Sequence, residues 1–164
     1  MRVYRRQQAR AAPQILMAAT TKIDLCTCGA IRKAARHVTQ LYDRHLAPVG
    51  LRVTQFSILA HLERLGPRTI NELAAIMSTD RTTMGRNIRP LERDGLVSVS
   101  ADPRDGRRRA LAITPAGSRR LDAARSAWSR AQTDFDTAFG GADAAKALRS
   151  TLAGVTALTF PPFG

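Results

Sequence analysis

Between Asp80 and Asn87 the chain reads DRTTMGRN, and Arg81, Thr82, Thr83, Arg86 and Asn87 are the side chains there suited to recognition chemistry. A guanidinium pairs with the O6/N7 edge of guanine. An amide suits adenine, and a threonine meets a thymine methyl or a phosphate. Met84 and Ile88 fall on another helical phase, so the polar set can share one exposed face of a helix. A second basic set lies in Asp102-Pro-Arg-Asp-Gly-Arg-Arg-Arg109. This stretch looks too long and too charged for a minimal hairpin, and it is expected to project as a wing with Arg107 at the tip. A narrow A·T minor groove focuses negative potential, so Arg107 is the minor-groove candidate. Arg104, Arg108 and Arg109 would serve phosphates, Asp105 would orient a wing arginine, and Asp102 would shape the turn. Arg89 and Arg93 are expected on a solvated face.

The elements that must carry these groups follow from periodicity. From Cys26 to Ala47, Ile31, Ala34, Ala35, Val38, Leu41, Tyr42 and His45/Leu46 recur at steps of three and four, which predicts an amphipathic helix. Pro48 and Gly50 end it. Thr54 is expected to cap a second helix, with Ile58, Leu59, Leu62 and Leu65 inward. Thr69-Ile-Asn-Glu72 reads as a capping box opening a short third helix to Met77. Ser78-Thr79-Asp80 is a turn and cap, and the fourth helix runs from about Arg81 to Arg93. Pro90 lies inside it and should kink its last turn. Val97/Val99 and Leu111/Ile113 predict two short half-buried strands. Thr114-Pro115 opens a long helix with Leu121, Ala124, Trp128, Ala131, Phe135 and Ala138 in a coiled-coil-like spacing. Gly140-Gly141 breaks it, and a last helix runs roughly from Ala142 to Leu158.

The order is mainly α (α+β), a winged helix-turn-helix core at about 53–114 between outer helices at about 26–47 and 115–158. The outer helices lack enough apolar neighbours for burial in one small chain, which argues for a homodimer. Residues 1–22 read as a flexible basic extension, or as sequence upstream of a start at Met17.

The net charge is +13, from 26 Lys+Arg against 13 Asp+Glu. Only Lys22, Lys33 and Lys146 are lysines; the rest are arginines, which suits a polyanion partner. No apolar run approaches the ~20 residues needed to span a bilayer. The N-terminus is a poor secretory signal, and two cysteines are no disulfide framework. A cytoplasmic protein with reduced thiols is expected. There is no Gly-rich phosphate loop, no HExxH and no supported Ser/His/Asp order, so no enzyme, cofactor or metal is expected.

Taken together, Asp80-Arg-Thr-Thr with Leu91-Glu-Arg-Asp-Gly-Leu-Val97, and Asp102-Pro-Arg-Asp-Gly-Arg107 with Leu111-x-Ile-Thr-x-x-Gly117, make the chain resemble the MarR family of winged-helix regulators. The resemblance covers roughly 26–158, within a MarR-type domain at 23–164. It implies an obligate homodimer with interlocked terminal helices on a palindromic double-stranded DNA operator, usually as a repressor. It also supports Arg107 as the wing arginine.

In that family small aromatic or phenolic acids often act as effectors. A pocket for one could be lined by His37, Tyr42, His45, Arg52 and Phe56. An alternative is a thiol switch. Cys26 and Cys28 sit at the first turn of the first helix, where the helix dipole favours thiolate. Cys28 with Tyr42, fourteen residues on, is similar to the hydroperoxide-sensing branch; Arg32 stands where that branch has its second tyrosine. A nucleoid or RNA-binding protein is a further alternative, weakened by the missing aromatic stacking platforms.

Overall fold

The computed structural model describes residues 25–102 and 105–159, the side chain of Arg107 excepted. The basic extension at 1–22, Arg104, the Arg107 side chain and the chain end beyond 159 therefore lie outside the described residues. Among the described residues the chain divides between His37 and Val38.

Helix α1 spans Thr27–Leu46 and leads through a 3-10 turn, Ala47–Val49, into α2, Val53–Leu65. Strand β1 (Arg68–Thr69), α3 (Ile70–Ile76) and α4 (Arg81–Arg93) follow, then β2 (Val97–Asp102) and β3 (Asp105–Ile113), and finally α5 (Pro115–Ala138) and α6 (Ala142–Thr156). The three strands form an antiparallel sheet in the order β1-β3-β2. This is the winged helix expected from the pattern, with two corrections.

The first concerns the wing. Strand β3 begins at Asp105, and Asp102 pairs directly with Asp105. Only residues 103 and 104 separate the strands, so the wing is a long two-stranded ribbon and not a long projecting loop. Arg107, Arg108 and Arg109 stand on the strand itself, and Arg107 is no loop tip. A run of charge does not prevent pairing where the side chains meet water, as those of Arg108 and Arg109 do. The register is irregular at Ala101/Asp102. Strand β1 is the second surprise: Arg68 and Thr69 pair with Leu111 and Ala110. Two residues are too short to show periodicity, and their pairing is a long-range event.

Caps hold most helix starts where local sequence placed them. The Thr69 amide donates to the Glu72 carboxylate at 2.7 Å, and the Glu72 amide returns a bond to Thr69 Oγ1 at 3.3 Å. Asp80 accepts from the Thr83 amide at 2.8 Å, and Thr114 from that of Gly117 at 3.0 Å. Helix α2 differs. It starts at Val53, one residue before the expected cap Thr54, because Asp43 of α1 reaches across to accept the Val53 amide at 2.7 Å. The Gln55 side chain accepts from the Arg52 amide at 2.9 Å.

The core is aliphatic. Leu46, Ile58, Leu59, Leu62, Leu73, Met84, Leu91 and Leu121 are fully buried, where α2, α4 and α5 meet the sheet. Phe56 stacks on Trp128 with centroids 5.8 Å apart. Gly117 matters most at the junction of wing and α5: a Cβ there would lie 2.1 Å from the Leu96 carbonyl oxygen. That carbonyl accepts the Thr114 amide, and Thr114 Oγ1 donates to the Gly95 carbonyl at 2.7 Å, tying the root of the wing to the start of α5.

Candidate nucleic-acid interface

Helix α4 presents two faces of opposite chemistry. Met84, Ile88 and Leu91 are buried, whereas Arg81, Thr82, Thr83 and Arg86 are exposed and Asn87 is half-buried. Asp80 anchors the first turn, and hydrogen bonding to Thr83 holds its carboxyl below the usual carboxylate range. The base-reading candidates therefore sit on a capped, rigidly seated helix end. The turn before it is tight: Ser78 has φ 48°, the left-handed region that glycine usually fills. The helix runs unbroken through Pro90 to Arg93. Proline has no N–H, so the Arg86 carbonyl lacks its usual helical donor.

The wing supplies the second basic element. Arg108 and Arg109 are exposed, and Arg108 Nε lies 3.6 Å from Asp105 Oδ2. Asp102, at the other side of the turn, is buried. Arg93 is exposed and pairs with Asp94 at 2.9 Å; Arg89 is exposed.

Of the residues expected around an effector, Tyr42, His45 and Phe56 each meet α5, at Gln132, Asp134 and Trp128. Tyr42 donates its hydroxyl to Gln132 at 2.8 Å, and Gln132 donates in turn to Asp136 at 2.8 Å. Burial, with Asp136 nearby, pushes the Tyr42 hydroxyl pKa up. His45 lies 2.9 Å from Asp134, and Phe56 is buried against Trp128. His37 is exposed on α1. Arg52 alone of this set lines two adjoining clefts. One, of about 420 Å³, is bounded by Asp43, Ala47, Gly50, Leu51, Arg52 and Gln55. The other, of about 390 Å³, is bounded by Thr39, Asp43, Arg52, Thr54, Gln55, Arg86, Asn87 and Pro90. Sequence reading missed Thr39, Asp43, Thr54, Gln55 and Pro90 here, since nothing local links α1, α2 and α4.

Cys26 and Cys28 are free and exposed at the start of α1, and Cys26 Sγ accepts the Gly29 amide at 3.4 Å. Among the described residues no three His, Cys, Asp or Glu side chains group as a metal set, and no helix is long and apolar enough to cross a membrane.

The stretch carrying this helix and ribbon is also the stretch that other proteins share. The sequence model of the MarR family matches residues 51–108, from the start of α2 into the wing. An uncharacterized HTH-type transcriptional regulator of Bacillus subtilis, YwoH, is 33% identical over 67 residues, 41% of this chain and 49% of that protein, so the match spans about half of that relative's length. Likeness to solved structures extends further. The Mycobacterium tuberculosis transcriptional regulator MosR, crystallised in complex with DNA, is 36% identical, with 81% of this chain and 99% of that one covered and a TM-score of 0.67. CouR of Rhodococcus jostii, crystallised with p-coumaroyl-CoA, is 27% identical over 81% of this chain and 93% of its own, at a TM-score of 0.68. An exposed, capped α4 beside an arginine ribbon, the profile match over both, and a 36%-identical regulator covered almost end to end lead to one conclusion: the chain belongs to the MarR family of winged-helix transcriptional regulators.

Proposed function

We propose that this protein is a sequence-specific double-stranded-DNA-binding regulator, working as a homodimeric repressor on a palindromic operator and released by a small-molecule effector. The observation that carries the reading is the division of α4: Met84, Ile88 and Leu91 are sunk in the core, so Arg81, Thr82, Thr83 and Arg86 face outward together. Arg86 or Arg81 pairs with guanine, the threonines meet thymine or phosphate, and Asn87 is a further base-edge candidate. Arg107 enters the minor groove from the ribbon, while Arg104, Arg108 and Arg109 hold phosphates.

A dimer is supported by what the single chain leaves uncovered. Trp128, Phe139, Leu152, Val155 and Leu158 keep 37–58% of their surface exposed along α5, α6 and the residues just beyond. Of α1, only Leu46 is buried. Two protomers would set their reading helices about one DNA turn apart, ~34–36 Å. CouR, with its bound p-coumaroyl-CoA, supports an effector-released mechanism.

The test is selection of a duplex from a random pool, followed by anisotropy titration. An inverted-repeat duplex bound ~10³-fold or more above scrambled DNA supports the reading. Equal binding to every duplex refutes it in favour of a nucleoid-type protein.

A second reading is favoured by the two exposed thiols at the α1 start. A hydroperoxide would oxidise the Cys28 thiolate to a sulfenic acid and leave as the alcohol; a second thiol would then condense with it, releasing water and forming a disulfide. Release of DNA by cumene hydroperoxide in wild type but not in Cys28→Ser supports this switch. Equal responses reject it.

A further inference from the structure

The last rung of the wing ribbon is the pairing of Val97 with Ile113. Just beyond that rung, three segments of the chain meet on Thr114. The Thr114 amide donates to the Leu96 carbonyl at 3.1 Å. Its hydroxyl donates to the Gly95 carbonyl at 2.7 Å and accepts the Gly117 amide at 3.0 Å. Gly95 lies two residues past the end of α4, and its own amide bonds back to the Glu92 carbonyl of that helix at 3.0 Å. One hydroxyl therefore joins the tail of the recognition helix, the foot of the ribbon and the first turn of α5. Capping α5 needs only the accepted bond. The donated bond is a separate function, and a hydroxyl can make both at once. The length of the ribbon turns this root into a fulcrum. Arg107 lies six residues out from Ile113, about 20 Å along an extended strand. A turn of about 10° at the root would carry it ~3–4 Å sideways, further than a hydrogen bond can stretch.

Resting on the reading of α4 and Arg107 proposed above, we infer that Thr114 is a positioning residue for DNA recognition. Its donated hydrogen bond to Gly95 fixes the angle between the ribbon and α4, so that the minor and major grooves are engaged together. It acts through Arg107 and makes no contact with DNA itself. Without that bond α4 still reads its bases, but the wing no longer meets the flanking minor groove in register.

The test uses three full-length variants. Thr114→Val keeps the side-chain shape and loses the hydroxyl. Thr114→Asp can still cap α5 but cannot donate to Gly95. Thr114→Ser keeps both bonds. Urea unfolding identifies the variants that fold, and Thr114→Asp carries the test alone where Thr114→Val does not. Anisotropy titrations use the selected duplex, a copy with one core base pair changed, and a copy with its A·T flanks changed to G·C. Thr114→Val is expected to bind the selected duplex about tenfold more weakly, the worth of one good groove contact. Both Thr114→Val and Thr114→Asp should lose the preference for A·T flanks and keep the preference at the core. Thr114→Ser should restore wild-type affinity and flank preference. In the DNA-free protein, residual dipolar couplings of the β2 and β3 amides should change in Thr114→Asp while those of α4 stay. The inference is overturned if Thr114→Asp keeps the flank preference, if core and flank preferences fall together, or if Thr114→Ser behaves like Thr114→Asp. A wild-type protein indifferent to its flanks sinks the minor-groove reading of Arg107 instead. The dipolar couplings then decide Thr114, and an unmoved ribbon overturns its positioning role.

Discussion

The reading head and the long C-terminal helices use the same apolar residue types to opposite ends. In the head, from Leu51 to Leu111, the large side chains Leu51, Phe56, Ile58, Leu59, Leu62, Leu73, Met84, Ile88 and Leu91 are buried within one chain. In α5 and α6 the buried positions below Leu121 are mainly alanines, Ala124, Ala127, Ala131 and Ala145, while Trp128, Phe139, Leu152 and Val155 stay at the surface. The head core, closed by Leu46 from α1 and Leu121 from α5, seats the buried face of α4. The helices pack with small residues on one side and leave large ones exposed, the face that the proposed dimer would cover.

That contrast can be broken at several points, beginning with the head. Leu59 is fully buried, so Leu59→Ala should cost about 3 kcal/mol through lost burial and a cavity, measured by urea unfolding. Gly117→Ala forces a Cβ onto the Leu96 carbonyl. A loss of about 2–3 kcal/mol is expected, with the wing root displaced, and a variant of wild-type stability would mean that the junction is looser than it looks. In the helices, Val155→Asp should leave the fold of the head intact in circular dichroism while shifting the sedimentation coefficient toward a single chain. A dimer of undiminished strength would remove the exposed α6 face from the interface.

Smaller effects sharpen the division between reading and scaffolding. Arg86→Ala should lose about 1–3 kcal/mol of operator affinity and relax base preference at one position, with unfolding unchanged. Arg107→Ala should weaken binding most at an A·T-rich flank. Asp43→Ala removes the carboxylate that caps α2 from another helix, and about 1 kcal/mol of stability should go with it. The smallest effect concerns Asp80, whose pKa is depressed by hydrogen bonds to Thr83. A depressed carboxyl contributes stability above its ordinary range and loses it as pH falls through the folded value. Protection of the Thr83 amide, corrected for the intrinsic exchange rate, should therefore fall only below about pH 4 in wild type, and Asp80→Asn should abolish that acid step.

Local signals in the sequence carried most of the fold. The 3.6-residue periods, the Thr69–Glu72 box, the caps at Asp80 and Thr114 and the breaks at Gly95 and Gly140-Gly141 all act within four residues, and each lies where it was expected. What escaped is non-local. The β1 pairing with β3, the extension of β3 through Arg107–Arg109 and the Asp43 cap on Val53 each join segments that periodicity treats separately. For the site, helical phase sufficed to set Arg81, Thr82, Thr83 and Arg86 on the exposed side of α4. Around the expected effector pocket, Tyr42, His45 and Phe56 meet α5, while Arg52 lines two clefts with Asp43 and Gln55, groupings that join α1, α2 and α5 and that periodicity along one helix does not show.

The most direct test of the paired reading is a competition anisotropy titration of the full-length protein on its selected inverted-repeat duplex, against scrambled and half-site competitors. Displacement by the scrambled duplex only at ~10³-fold excess or more, and by a half-site far less well than by the full repeat, is the expected result. Equal displacement by all three would contradict it.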